Sequence, residues 1–183
     1  EYSEIAINQS NLALVYQDLG DYEKARGLLK AALDSDLKNF GAEHPKVAIR
    51  QSNLGSVYEC LGNYEKARDL LESALNSNLK NFGAEHPNFA NGQSNLANVY
   101  RNLGEYEKAR SLLESALDSD LKNFGAEHPS VAIRQNNLAH VFLDMGEKEK
   151  AREHFEQAYA LLKKTLGKQH PNTRTVKDYL DNL

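Results

Sequence analysis

The fold is decided by a stretch that the chain repeats, residues 45–86, which reads PKVAIRQSNLGSVYECLGNYEKARDLLESALNSNLKNFGAEH. Residues 87–128 follow in phase as PNFANGQSNLANVYRNLGEYEKARSLLESALDSDLKNFGAEH, without insertion or deletion. The same step of 42 residues separates the Glu-His-Pro triplets at residues 43–45, 85–87 and 127–129, and the variant Gln-His-Pro at 169–171. A strict period of this size indicates a solenoid, in which each repeat buries its apolar face against its neighbours.

The first half of the repeat predicts a helix. Its apolar residues recur at steps of three, four and seven from Val47 to Leu61, which places them on one helix face. Pro45 suits the first turn of this helix, where the N–H that proline lacks would have no partner. Gly62 then supplies the left-handed residue that commonly ends a helix.

The second half predicts a longer helix over residues 64–82, because the stretch contains neither proline nor glycine before Gly83. Asn63 is a good N-cap for it, as is Asp21 at the same place in the first repeat. Glu105 and Glu147 at the corresponding positions are weaker caps. The repeat is therefore predicted as helix, turn, long helix and loop.

Small residues recur where the two helices of a pair would touch. Gly55 in the first helix and Ala67 in the second have small counterparts in every other copy, namely Ala13, Ala97 and Ala139, and Ala25, Ala109 and Ala151. Side chains no larger than a methyl group let two helices approach closely. We therefore expect these positions to form the contact within each pair.

The third copy departs from the pattern at Asn91-Gly92, where its neighbours have an Ile-Arg pair. This dipeptide is a turn signal, and the glycine alone costs about 1 kcal/mol relative to alanine inside a helix. We expect this first helix to begin late or to fray.

Composition excludes several classes of function. The chain has 183 residues, 26% of them charged, and a net charge of −4, so it carries no basic footprint for nucleic acid or an anionic membrane. No apolar run is long enough to span a bilayer. The only cysteine, Cys60, cannot form an internal disulfide, so we expect a reducing, cytoplasmic location. Glu1 already lies in phase with the repeat, and we expect the chain to be part of a longer protein.

The sequence predicts no catalytic residue, no metal site and no cofactor. The periodic histidines of the Glu-His-Pro triplets would lie about one repeat apart, whereas a metal needs three or four ligands around one point. No phosphate-binding glycine loop and no nucleophile motif is present. Cys60 lies near the end of a helix beside Glu59, which disfavours a thiolate, so we expect a structural cysteine.

The spacing Leu54-Gly55, Tyr58, Gly62, Tyr64, Ala67, Leu71 and Ala74, which recurs along the chain, resembles the tetratricopeptide repeat signature. The usual helix-ending proline of that family is replaced by Leu79, so the second helix can continue, which accounts for a unit longer than 34 residues. The longer unit resembles the repeats of kinesin light chain and of related bacterial proteins. The resemblance implies an all-α fold, a right-handed superhelix of four helix pairs over residues 3–44, 45–86, 87–128 and 129–170, with a capping helix over 171–183.

The resemblance also implies a binding face. In tetratricopeptide proteins the mid-helix asparagine of the first helix lies on a concave wall, where its amide can hold the backbone of an extended peptide. The alternative is that each asparagine merely braces the neighbouring repeat. On the first interpretation the predicted peptide- or protein-binding residues are Asn11, Leu14, Gln17, Arg50, Asn53, Ser56, Glu59, Asn95, Asn98, Arg101, Arg134, Asn137 and His140.

These observations favour a non-catalytic scaffold that binds a peptide or partner protein in its concave groove. Two alternatives remain. The array could be a structural module whose uncovered apolar end associates with another copy, or it could be the sensor or recruitment arm of a larger signalling protein or enzyme. The sequence does not identify the partner.

Overall fold

The computed structural model describes residues 2–183, with side chains from Glu4 onward, and this part of the chain contains helices and no strand. The all-α fold class is therefore confirmed. The helices are α1 Tyr2–Asp18, α2 Tyr22–Phe40, α3 Pro45–Cys60, α4 Tyr64–Phe82, α5 Pro87–Asn102, α6 Tyr106–Phe124, α7 Pro129–Asp144, α8 Lys148–Thr165 and α9 Pro171–Asp181.

The predicted helix boundaries of the repeat are confirmed. The second helix α4 covers the stretch expected from its cap and its terminating glycine, Tyr64–Phe82. Gly62 and Gly83 have φ values of 72° and 83°, a left-handed conformation that L side chains rarely adopt. These glycines let the chain reverse direction after each helix, so that a pair of antiparallel helices forms.

The caps of the second helices follow the prediction. The side chain of Asn63 accepts a hydrogen bond from the Lys66 backbone N–H, and Asp21 does the same for Lys24. Glu105 and Glu147 make no such side-chain bond. Their carboxylates pair only with the lysine side chain one turn on, Lys108 and Lys150, whereas the shorter Asp21 side chain pairs with Lys24 and also accepts from its backbone N–H.

Histidines cap the first helices, a role that was not predicted from the sequence. His44 accepts a hydrogen bond at Nδ1 from the Lys46 backbone N–H at 3.1 Å. The same bond forms in the three later copies, at His86, His128 and His170. The ring of His44 also stacks on Phe40, the last residue of the preceding helix, with 4.6 Å between ring centroids. The Glu-His-Pro triplet therefore ends one helix and caps the next.

The chain divides into two compact units, Glu1–Ala84 and Glu85–Leu183. In the first, α2 packs against both α1 and α3, and the core includes Leu29, Leu54 and Val57. In the second, consecutive helices from α5 to α9 pack against one another around buried residues such as Leu138 and Phe155. Each unit thus builds its core from neighbouring repeats.

The small residues lie at the helix contacts, as predicted. Ala13, Ala25 and Ala67 are fully buried. Gly55 leaves no room for a side chain, because a β-carbon added to it would lie 2.8 Å from Cγ of Leu71. Close packing at this density makes any gain in side-chain volume costly.

The Glu-His-Pro loop is fixed to the second helix that follows it. In the first unit the Glu43 backbone carbonyl accepts hydrogen bonds from Asn81 Nδ2 at 2.9 Å and from Ser77 Oγ at 3.2 Å. In the second unit Asn123 Nδ2 donates to the Glu85 carbonyl at 2.8 Å. These bonds satisfy loop carbonyls and hold the register between successive repeats.

The expected late start of the third first helix is wrong. Helix α5 begins at Pro87, with His86 as its cap, like the other first helices. Asn91 and Gly92 lie inside it, because the cap and the flanking packed residues outweigh the intrinsic cost of one glycine. Fraying of this helix stays a prediction.

Candidate functional site

The first helices of the second unit lie side by side and form a continuous surface. Arg134 of α7 donates to Asn91 Oδ1 of α5 at 2.6 Å, and Asn137 of α7 donates to Ser94 Oγ at 3.2 Å. We call the surface that these helices expose the first-helix wall. In this unit it consists of Asn98 on α5 and of Ile133, Asn136 and His140 on α7.

The corresponding repeat positions of the first unit lie on α1 and α3, and we include them in the first-helix wall. The wall residues at the corresponding repeat positions are Ile7, Leu14, Ile49, Ser52 and Ser56. Ile7, Leu14 and Ile49 are 41%, 45% and 52% exposed. The wall of the first unit is therefore rich in uncovered aliphatic side chains beside small hydroxyl groups.

Two arginines of the predicted binding set belong to internal ion pairs. Arg50 and Arg134 are only 7% and 5% exposed. The Nε–H of Arg50 donates to Asp36 Oδ2 at 3.0 Å, and Arg134 Nε lies 3.0 Å from Asp120 Oδ2. Their prediction as groove contacts is wrong, because buried charges of this kind are held by their partners and are not available to a ligand.

Two further residues of that set brace neighbouring helices. Arg101 of α5 forms an ion pair with Asp144 at the end of α7. Asn137 reaches Ser94, so the bracing alternative holds for this asparagine. Arg101 therefore makes a contact within the protein.

The other predicted residues remain accessible to different degrees. Asn11 is exposed, whereas its counterparts Asn53 and Asn95 are half-buried. The predicted residues that follow these two asparagines on the same helices are also half-buried, namely Ser56, Glu59 and Asn98. Gln17 is half-buried and hydrogen-bonds the Cys60 thiol. His140 lies between two rings, 5.1 Å from Phe155 and 4.6 Å from Tyr179, in edge-on contact with both. Their role in binding stays a prediction.

The isoleucines of the wall were not predicted from the sequence. Ile49 and Ile133 are 52% and 51% exposed, although they stand beside buried residues in apolar helices. Ile49 follows Val47 by two positions, which is about 200° around a helix, so it points away from the buried stripe. Exposure of these isoleucines could have been predicted from their spacing, because each lies on the side of its helix opposite the buried residues.

Burial shifts the pKa values of one cysteine and two histidines. Desolvation, and then the adjacent Glu59 carboxylate, raise the pKa of the Cys60 thiol above its ordinary value, which disfavours a nucleophilic thiolate. Burial lowers the pKa of His140, with a smaller contribution from Arg101. Burial likewise lowers the pKa of His154, whose Nδ1 contacts Gln135 Oε1.

Within residues 2–183, no group of three or more His, Cys, Asp or Glu side chains could hold a metal ion. In the same part of the chain, every helix is too short or too polar to cross a membrane.

Comparison with known proteins identifies relatives of this architecture. The sequence matches the family model for the tetratricopeptide repeat over residues 4–80 and 88–164. Two crystal structures of a Podosopora anserina protein, described as a putative kinesin light chain with nearly identical TPR-like repeats, superpose with TM-scores of 0.84 and 0.83. Both are 30% identical, and the match covers 100% of this chain and 86% of theirs.

A more distant structure shares the fold. BtubC (BKLC) from P. vanneervenii gives a TM-score of 0.83 at 24% identity, covering 99% of this chain and 72% of that one. No curated protein matches the sequence.

Proposed function

Since the chain belongs to the tetratricopeptide repeat family, a fold that generally serves as a protein–protein interaction scaffold, we propose that it binds a peptide or partner protein on its first-helix wall without catalysing a reaction. The observation that carries this proposal is the exposure of Ile49 and Ile133 on that wall, at 52% and 51%. Exposed aliphatic side chains among uncharged amides and hydroxyls suit an extended peptide, whose backbone needs hydrogen bonds and whose side chains need apolar contacts.

The expected affinity for a short peptide is modest. Fully burying an isoleucine contributes about 1.5–3 kcal/mol, so covering the exposed half of Ile49 or Ile133 contributes roughly half of that. Each immobilised side chain of the ligand costs about 0.5–1.5 kcal/mol in turn. Several repeats must therefore contribute contacts together before binding becomes tight.

Selection from a displayed library of random linear peptides tests the proposal. Peptides enriched on the wild-type chain should bind saturably. Ile49→Glu should weaken those that bind the first unit at least about tenfold, and Ile133→Glu those that bind the second unit, since either substitution places an unpaired charge in the contact. Leu79→Glu and Leu121→Glu are the matched controls, because these leucines are 43% and 38% exposed on the second helices. Unchanged binding by the wall variants would rule out this surface.

A second candidate function rests on a different face of α1. Leu12 and Val15 are 46% and 52% exposed, whereas their counterparts Leu54 and Val57 are 3% and 0% exposed. We propose that this face can associate with another copy of the chain. Light scattering should then show a mass that rises with concentration, and Val15→Lys should abolish the rise. A constant monomer mass contradicts self-association.

We further propose that the two units belong to one array in the cytoplasm. The 42-residue step continues across the boundary between Ala84 and Glu85 without insertion or deletion, which supports a single array. A chain with one cysteine has no internal disulfide to maintain, which suits a reducing compartment.

A further inference from the structure

The second unit contains a cavity of about 230 Å³ between α7 and α9. We call it the α7–α9 pocket. It opens on the first-helix wall, because Ile133, Asn136 and His140 of that wall form its α7 side. The full lining is Ala132, Ile133, Asn136, His140, Leu162, Asn172, Thr175, Val176 and Tyr179.

The lining divides into an apolar floor and an uncharged polar rim. Ala132, Leu162 and Val176 are 0%, 6% and 4% exposed and belong to the core beneath the cavity. The rings of His140 and Tyr179 form one end, in edge-on contact at 4.6 Å. The Thr175 hydroxyl donates to the Pro171 carbonyl at 3.1 Å, which leaves its oxygen lone pairs as acceptors.

No aspartate, glutamate, lysine or arginine lines this pocket. Burial lowers the pKa of His140, so its imidazole is neutral near pH 7 and offers no counter-charge to an acidic group. A charged side chain placed here would lose its hydration without gaining an ionic partner. The electrostatics of the pocket thus select for an uncharged occupant.

The volume of the pocket further limits which side chains it can receive. A cavity of about 150 Å³ lined by apolar side chains can accommodate benzene. A volume of about 230 Å³ therefore has room for one large side chain, and alanine would leave most of it empty. The amides of Asn136 and Asn172 stand at the rim, where they can bond the peptide groups on either side of that residue.

We propose that the α7–α9 pocket receives one large uncharged apolar side chain, of the size of leucine, methionine or phenylalanine, from an extended peptide lying along the first-helix wall. The inference rests on the proposed scaffold function. It gives α9 a role besides packing on α8, because this helix supplies Thr175, Val176 and Tyr179 to a specificity pocket. The residue at this point of the ligand, rather than its charge pattern, sets selectivity.

A blocked amino acid tests the pocket directly, in place of the unidentified natural peptide. The full chain is titrated with N-acetyl-leucine methylamide, and the methyl signals of Ile133, Leu162 and Val176 are followed by NMR. Saturable shifts are expected, with a dissociation constant on the order of millimolar for so small a ligand. The phenylalanine and methionine analogues should behave alike, and the alanine and aspartate analogues should bind at least about tenfold more weakly.

Thr175→Phe fills the pocket from an exposed position and should weaken the leucine probe at least about tenfold. Thr165→Phe is the matched control, since Thr165 is also exposed and also donates to a carbonyl four residues back, at 2.9 Å, but lies outside the pocket. It should leave the shifts unchanged. If Thr175→Phe fails to fold, Ile133→Ala provides the second variant, with severalfold weaker binding expected.

The outcomes separate this inference from the scaffold proposal. The pocket proposal is contradicted if the shifts do not saturate, or if they persist in Thr175→Phe. It is also contradicted if the alanine and aspartate analogues bind as well as the leucine probe. Shifts that depend on protein concentration and not on the probe would indicate that a second copy of the chain covers the pocket, which also contradicts the proposal. In each of these cases, peptides selected on the wild-type chain could still bind the first-helix wall. Only the peptide selection experiment described above can contradict the scaffold function.

Discussion

The buried ion pair between Arg50 and Asp36 provides the most demanding test of the packing. The two side chains are 9% and 1% exposed, and Nε lies 3.0 Å from Oδ2. At that distance and an effective dielectric constant of 20, the attraction is about 5.5 kcal/mol, and it is opposed by the loss of hydration of both groups. Asp36→Asn or Arg50→Met alone leaves the other charge buried without a partner, and each should cost about 3–5 kcal/mol.

The double variant should be far less damaging than the sum of the single variants. With both charges removed, no unpaired ion remains, so we expect a coupling energy of about 3 kcal/mol or more. The four proteins are compared by urea denaturation, because urea leaves the ionic strength unchanged and does not screen the pair. The free energy of unfolding then gives the coupling through a double-mutant cycle.

An exposed pair provides the control cycle. Lys80 and Glu43 are paired with side chains 63% and 76% exposed, and solvated pairs of this kind contribute about 0–1 kcal/mol. Glu43→Gln and Lys80→Met should therefore be nearly additive. Additivity at the buried pair, or coupling no larger than that of the exposed pair, would refute the reasoning.

Three further predictions concern the helices and pH. Ala67→Leu should lower Tm by several degrees, because Ala67 is fully buried and overpacking costs roughly 1–3 kcal/mol. His44→Ala should destabilise the chain by about 0.5–2 kcal/mol in urea denaturation, because it removes the N-cap bond to Lys46. Burial lowers the pKa of His140 and His154 below the ordinary 6.5, so the folded state binds fewer protons than the unfolded state. Their contribution to stability is therefore complete above pH 6.5 and declines as the pH falls through 6.5 toward the lowered pKa values, as unfolding measured at a series of pH values should show.

Each of these predictions has a control within the chain. An unchanged Tm for Ala67→Leu contradicts the close contact of the paired helices. His44→Asn should recover most of the loss, since asparagine is a preferred N-cap, and equal losses for both variants would exclude capping. His140→Asn introduces the residue that the preceding repeat has at this position, Asn98, and should reduce the pH dependence to the part contributed by His154; an unaltered profile argues against His140 as a source.

The helices could be predicted because residues within each repeat determine where each helix begins and ends. Asn63 and Gly83 enclose α4, and both act within a few residues of their own position, so the end points follow from side-chain chemistry. The histidine caps could not be predicted in the same way, because histidine is not among the usual N-cap residues. Its capping depends on the ring turning Nδ1 toward the backbone N–H two residues on, at 3.1 Å for His44, and only the folded structure shows this.

The site residues are less predictable from sequence, because an arginine on a helix is usually exposed, whereas Arg50 is buried and paired with Asp36. Arg50 has a partner 14 residues earlier, on another helix, and spacing within one helix gives no sign of it. The aligned repeats do indicate that Asp36 and Arg50 are paired. Asp36 and Arg50 recur as Asp120 and Arg134, and the copy between them has Asn78 and Gly92 at the same two positions, so both charges are lost together.

Comparison among the repeats thus separates two kinds of variation. A change at one position that accompanies a change at its contact, as with Arg101 and Asp144, reflects bracing within the protein. The position that holds Leu14 and His140 varies differently. Leu14 is 45% exposed in one unit, and His140 borders an open pocket in the other, so each copy presents its own side chain outward. Leu14 is largely exposed, so Leu14→Asn should alter which peptides bind while changing Tm little, whereas a substitution of His140 also removes its contacts with the Phe155 and Tyr179 rings and should change both binding and stability.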